Sequence, residues 1–205
     1  MNKKGMISLI AALIVILAVI VFQKFSGPDL SSYLPLKDPA ITTMKQHKML
    51  VVEARGEPGK IGKQAFGLLF KAYFGLKGVP KGKGRPAPRC RWPISDSVPP
   101  EQWIGRYAMP LPDTVKDVRF PEVPKSLSIK IATWQYGTVA EILHVGPYDK
   151  EAPAVERLHQ FIEEKGYVIA GEHEEEYLRG PGMFFKGKPS QYMTIIRYQV
   201  KEFIP

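Results

Sequence analysis

The run Glu172-His173-Glu174-Glu175-Glu176-Tyr177 and the spaced set Trp103, Gly105 and Tyr107 are the stretches whose residue types could do chemistry. In a strand, residues two apart face the same way. Glu175 and Tyr177 therefore share one face, and Trp103, Gly105 and Tyr107 share a face of theirs. If both faces line one groove, they form an aromatic box with a single carboxylate. Such a box suits a lipophilic cation, because ring-face attraction of ~0.5–2 kcal/mol per contact adds to a charge pair in a poorly screened site. Tyr148, just after the Gly146-Pro147 turn, and Trp134 are further candidates to close it. Plainer readings stand beside this one. An aromatic on a strand is more often core than ligand wall, and an acidic run is commonly a solvated strand end. Alternation sends Glu174 and Glu176 outward when Glu175 points in.

A buried carboxylate beside aromatic rings holds its proton more tightly and can act as a general acid or base. Glu175 would then be able to steer a water or protonate a leaving group that Tyr177 or Tyr148 orients. No second catalytic group is evident. His47, His144, His159 and His173 show no spacing that predicts a metal site or a nucleophile–base pair, and Cys90 lies in a basic stretch. The residues call for no metal and no cofactor.

The elements that must position these residues repeat. Met49 to Ala54 is a β-prone run, Gly56 to Gly59 is a turn, and Ala65, Phe66, Leu69, Phe70 and Tyr73 then recur at helical spacing. The same order returns as Val139 to Val145, Gly146-Pro147, and a helix with Val155, Leu158, Phe161 and Ile162 on one face. Pro153 falls in that helix's first turn and Gly166 stands where a left-handed cap wants glycine. This reads as an internal duplication. Further strands are expected over Trp92–Ile94, Trp103–Met109, Tyr167–Tyr177 and Tyr192–Val200. Leu127–Tyr136 is expected to pair with the run from Val139 as a hairpin through Gly137-Thr138. The class is α+β: duplicated β-α-β-β modules forming an antiparallel sheet with two helices and a central groove.

The chain has 205 residues, 44% of them hydrophobic and 11% aromatic, which suits one domain with a sizeable core. Met6 to Phe22 carries no charge and only one hydroxyl, Ser8, over seventeen residues. A helix there, at ~1.5 Å per residue, covers roughly 25 Å. The sequence thus predicts a transmembrane anchor over 1–23, a linker over 24–46 and a domain over 47–201. A cleaved signal peptide fits less well, since Val21-Phe22-Gln23-Lys24-Phe25 offers no small-x-small site. Lys3 and Lys4 before the run place the N-terminus in the cytoplasm and the domain outside, as a single-pass membrane protein.

The net charge of +9 is concentrated between Lys77 and Arg91, where Lys77, Lys81, Lys83, Arg85, Arg89 and Arg91 stand with no acid among them. The stretch is rich in glycine and proline and is expected to be a mobile loop. Such a loop near a bilayer can meet anionic headgroups at about 1 kcal/mol per basic residue, or can simply be solvated. No recognition helix or aromatic-interleaved strand accompanies the charge, so no nucleic-acid partner is expected.

The C-terminal half carries an ordered set: His144-Val145-Gly146-Pro147-Tyr148, the helix, Gly166-Tyr167, Glu175-Glu176-Tyr177-Leu178-Arg179-Gly180-Pro181, and Thr194-Ile195-Ile196-Arg197-Tyr198-Gln199-Val200. This set resembles the GyrI-like small-molecule-binding family, which includes the effector-binding domains of the Rob and BmrR regulators and the free-standing SbmC. The resemblance implies a groove between two duplicated halves that receives a small amphipathic, often cationic, molecule against aromatics and a glutamate. The family's Glu-x-Tyr falls on Glu175 and Tyr177. The chain departs from the family pattern at Ile195 and Gln199, where many members have Glu and Pro. Arg89-Cys90-Arg91-Trp92-Pro93 with Pro99 to Ala108 is similar to the branch that carries an N-terminal membrane helix. The first expectation is therefore small-molecule binding. The second, which the resemblance also implies because some members hydrolyse reactive electrophiles with a pocket glutamate, is a hydrolase with Glu175 as its catalytic group. The third is a protein-docking module at the membrane. No helix-turn-helix is evident, so direct transcriptional control is not expected.

Overall fold

The computed structural model describes residues 29–92, 99–116, 118, 120, 123–181 and 187–204. In chain order the elements are β1 (Ala40–Met44), β2 (His47–Arg55), α1 (Pro58–Gly75), β3 (Arg89–Trp92), β4 (Ile104–Pro110), β5 (Leu127–Trp134), β6 (Gly137–Val145), α2 (Ala152–Glu164), β7 (Tyr167–Ile169), β8 (His173–Arg179) and β9 (Met193–Glu202). The nine strands form an antiparallel array in the order β1-β6-β9-β8-β3-β4-β2-β5, with β7 also on β9. The fold is α+β, as expected.

The order reads the same from both ends once β2-α1-β3-β4 is matched with β6-α2-β8-β9. Two details carry the repeat to the backbone. Gly56 and Gly146 both turn the chain from strand toward helix at positive φ, 135° and 146°, a conformation that only glycine adopts without strain. Gly56 N–H donates to Trp103 O at 2.9 Å and Gly146 N–H to Tyr192 O at 3.0 Å, each acceptor lying just before its half's last strand.

Leu127–Trp134 is a strand, but not half of a hairpin with β6. It pairs with β2, Leu50 opposite Ile131 and Val52 opposite Ile129, while β1 crosses to pair with β6. The physical reason lies in β2. Its run Met49–Val52 is fully buried, and as a sheet edge it would leave apolar residues and backbone groups unpaired. With β4 on one side and β5 on the other, β2 is interior.

The compact unit begins at Ser31, inside the stretch that the sequence reads as a linker. Ser31–Lys37 is a 3-10 helix, and β1 packs Ile41 against the core of the second half. β1 is short and mixed in polarity, so periodicity alone did not reveal it. The run Tyr167–Tyr177 also divides, into β7 and β8. Among the described residues no helix is long and apolar enough to cross a membrane. The anchor expected over 6–22 lies outside the described residues.

Both helices pack on one face of the sheet. α1 buries Ala65, Leu69 and Tyr73 against Leu50, Val52, Tyr107 and Met109. α2 buries Leu158 and Ile162 against Ala140, Ile142, Ile196 and Tyr198. The halves join where β3 pairs with β8, with Cys90 opposite Glu175 and Trp92 opposite His173.

Candidate functional site

Alternation along β8 turns His173, Glu175 and Tyr177 toward the helix side of the sheet, and along β3 it does the same for Cys90 and Trp92. Glu175 is only 7% exposed. Its Oε1 accepts a hydrogen bond from Trp92 Nε1 at 2.9 Å and lies 3.4 Å from His173 Nε2. The Tyr177 hydroxyl also bonds its carboxylate.

Aromatic rings pass round this carboxylate in an unbroken series. Tyr192 lies 5.3 Å from Tyr148, Tyr148 5.5 Å from Tyr177, Tyr177 5.7 Å from Phe66, and Phe66 4.9 Å from Tyr107. Tyr107 then stands 5.5 Å from Trp92, and Trp92 6.4 Å from Trp103. Most of these contacts are edge-to-face, the arrangement the ring quadrupole favours.

Two glycines make room for the rings. A Cβ on Gly105 would stand 2.7 Å from Trp92 Cζ3 and 2.8 Å from Tyr107 Cε2. A Cβ on Gly180 would stand 2.5 Å from Tyr148 Oη. At Gly105 the contacts are with two packed rings, so glycine is required by close approach, whereas at Gly180 only the hydroxyl end of Tyr148 would have to shift.

The electrostatics follow from burial. The hydroxyls of Tyr148, Tyr107 and Tyr177 are pushed above the ordinary phenol range, first by desolvation and then by neighbouring negative groups, Glu175 among them. Glu151, where a 3-10 turn runs into α2, has its carboxyl pushed up to about 7 by burial and by the Glu175 charge, with His173 acting the other way. Among the described residues, Glu151 Oε2 and Tyr107 Oη are shut off from solvent without a hydrogen-bond partner.

Of the six residues singled out from the sequence, the structure brings Glu175, Tyr177, Tyr148 and Tyr107 together. Trp103 touches the set through Trp92. Trp134 lies on the other face of the sheet, packed with Met49, Val51 and Ala108. Trp92, Phe66, Glu151, His173 and Tyr192 were missed. Trp92 offered the only local signal, since it stands two residues from Cys90 in a short strand. The others reach the site from a helix face, a turn and strand ends.

The other face holds a second network. Arg197 pairs with Glu141 and Glu174 at 2.5 Å and with Glu176 at 3.0 Å. Arg89 pairs with Glu176 at 3.2 Å and Arg91 with Glu174 at 2.7 Å. Tyr136 donates to Glu174 at 3.0 Å and accepts from Arg89 at 2.7 Å, with its ring against all three guanidiniums. The Arg91 guanidinium also lies 4.1 Å from the centre of the Trp134 ring. Glu174 and Glu176 thus face away from Glu175 as alternation requires, but they are buried rather than solvated. Arg89 and Arg91 belong to β3, not to a mobile loop, and their charge is spent within the domain. Only the segment from Lys77 to Arg85 remains for the expected headgroup contact.

Two surface clefts lie elsewhere. One, of about 350 Å³, is lined by Arg55, Gly56, Glu57, Lys60, Ile61, Gln64 and Glu101. The other, of about 270 Å³, lies beside His47 and Leu111.

No protein-family model matches the chain, and no curated protein matches it by sequence. Solved structures do match in fold. An uncharacterized conserved protein from Listeria innocua is 22% identical with a TM-score of 0.63, covering 87% of this chain and 96% of its own. A hydrolase from Listeria innocua is 20% identical with a TM-score of 0.58 over the same shares. The EcmrR C-terminal domain is 14% identical with a TM-score of 0.58, covering 80% of this chain and 98% of its own. At these identities the likeness is one of architecture: the chain shares the fold of the EcmrR C-terminal domain and of these Listeria proteins, consistent with the GyrI-like fold that its motifs resemble.

Proposed function

We propose that the domain binds small amphipathic or cationic molecules between its two halves, with Glu175 as the charged partner and Tyr177, Tyr148, Tyr107 and Trp103 among the rings that receive them. The observation that carries this reading is Glu175 itself. It is a carboxylate buried at the join of the halves, with rings on several sides and no Lys or Arg ion pair among the described residues. A lipophilic cation supplies the missing charge, and its apolar surface replaces ring-to-ring contact with ring-to-ligand contact. Rings that touch one another must part to admit it. The apolar run 6–22 then serves as a single-pass membrane anchor with the domain outside, a reading that rests on the sequence.

The test is calorimetry of the full-length protein with tetraphenylphosphonium and with a neutral tetraphenyl analogue of the same shape. Binding of the cation that falls tenfold or more in Glu175→Gln, about 1.4 kcal/mol per factor of ten, with the neutral analogue unaffected, supports the reading. Equal binding of both compounds to both proteins, or to neither, sinks it.

A second reading, hydrolysis of reactive electrophiles, is favoured by Glu151, whose carboxyl titrates near 7 beside Glu175. An acid poised there can protonate a leaving group while its neighbour directs water. Product analysis by mass spectrometry separates turnover from capture. If no small molecule shifts the protein's thermal transition, the domain is better read as a protein-docking module.

A further inference from the structure

Glu151, His173 and Glu175 place one donor atom each within 4.8 Å of one another. The three come from two elements, the start of α2 and one face of β8, and no sequence spacing announces them. Their surroundings differ from those of Glu141, Glu172, Glu174 and Glu176. Glu172 pairs with Arg106, Glu174 with Arg91 and Arg197, Glu176 with Arg89 and Arg197, and Glu141 with Arg197. Among the described residues no Lys or Arg pairs with Glu151 or Glu175, and His173 is the only basic side chain paired with Glu175.

One distance in the cluster fits donors that share an ion. His173 Nε2 stands 3.4 Å from Glu175 Oε1, longer than the ~2.7–3.2 Å of an ordinary N–H···O bond. Two donors at about 2.0–2.1 Å from a tetrahedral ion are about 3.3–3.4 Å apart. The other imidazole nitrogen, Nδ1, lies 2.7 Å from Tyr198 Oη. With Nδ1–H donating to Tyr198, Nε2 keeps its lone pair toward Glu175, the outer support that ligating histidines usually have. The same Glu175 Oε1 is held in place by a hydrogen bond from Trp92 Nε1. Glu151 Oε2 is shut off from solvent and accepts no hydrogen bond among the described residues.

We propose that Glu151, His173 and Glu175 bind one divalent transition-metal ion of the zinc class. One imidazole and two carboxylates suit such an ion better than the hard, six-oxygen preference of magnesium or calcium. Tyr177, whose hydroxyl bonds the Glu175 carboxylate, stands beside the cluster. The site uses the carboxylate of the proposed small-molecule site but does not depend on that reading, because the metal is tested with no organic ligand present.

The experiment takes the untagged full-length protein, stripped with a chelator, and titrates it with zinc by calorimetry and with cobalt(II) by visible absorption near neutral pH. Glu151→Gln and His173→Gln are compared with Glu172→Gln, whose carboxylate pairs with Arg106 outside the cluster. Far-UV circular dichroism checks that each variant folds. The expected result is one zinc per chain, affinity at least tenfold weaker in both cluster variants, affinity retained in Glu172→Gln, and the intense ligand-field bands of four- or five-coordinate cobalt. Binding equal in all four proteins marks adventitious surface sites and overturns the proposal, as does the absence of binding heat. Should the cluster variants fail to fold, the wild-type cobalt spectrum decides: intense low-coordinate bands sustain the site, and the pale six-coordinate spectrum overturns it.

Discussion

Trp92 Nε1 donates to Glu175 Oε1 at 2.9 Å across the join between the two halves of the sheet. One strand of each half meets there, so the contact is both a hydrogen bond to a buried carboxylate and part of what holds the halves in register. Trp92→Phe keeps a ring and deletes the donor. Hydrogen bonds to charged groups contribute about 1.5–3 kcal/mol, and urea unfolding should show a loss of that order. An unchanged midpoint would mean that Glu175 finds another donor in the variant.

Gly105→Ala should be costly although the added group is a single methyl. Its Cβ would stand 2.7 Å from the Trp92 indole and 2.8 Å from the Tyr107 ring, and overpacking of this kind costs about 1–3 kcal/mol. The indole must move, so both the thermal midpoint and the tryptophan emission should change. A variant with wild-type emission and stability would show that the indole has room.

Arg197→Met tests the opposite face. Arg197 is 3% exposed and holds Glu141, Glu174 and Glu176 together. Removing one partner of a buried ion network leaves uncompensated charge and costs about 3–5 kcal/mol. Denaturant unfolding checks this, and a loss below about 1 kcal/mol would class the network with exposed ion pairs.

The Glu151 carboxyl gives stability a pH dependence of definite sign. Its folded pKa of about 7 lies above the ordinary 4.5, so between those values the folded protein binds more protons than the unfolded chain. Stability therefore falls as pH rises through that window. Glu175 and His173 are the titratable groups that face it. Thermal unfolding at pH 5 and pH 8, with a chelator present, should show a decline that is reduced in Glu151→Gln. A decline of the same size in both proteins would assign it to other groups.

Much of the local architecture was legible in the chain. The helix over Pro58–Gly75 follows from the spacing of Ala65, Leu69 and Tyr73, and the one over Ala152–Glu164 from that of Leu158 and Ile162. The duplication follows from Gly56 and Gly146, each at a strand–helix turn. Alternation also separated Glu175 from Glu174 and Glu176 correctly, because side-chain direction in a strand is a local property with period two.

Partner choice was not local. Leu127–Trp134 has the pattern of a strand but nothing in it says whether β2 or β6 lies beside it. Only the need to cover both edges of the buried run Met49–Val52 decides that. The far face of β8 looked solvated because Glu174 and Glu176 are charged, whereas Arg89, Arg91, Arg197 and Tyr136 arrive from three other strands or strand ends to bury them. The grouping of Glu151 and His173 with Glu175 is of the same kind: the residues lie apart in sequence, and their meeting depends on where α2 starts above β8. Sequence by itself determined the elements, their repeat and the face each side chain takes, since these rest on backbone periodicity and turn chemistry. The tertiary structure alone decided which strands pair, which charges are neutralised and which acids are left side by side, since these depend on contacts between residues far apart in the chain.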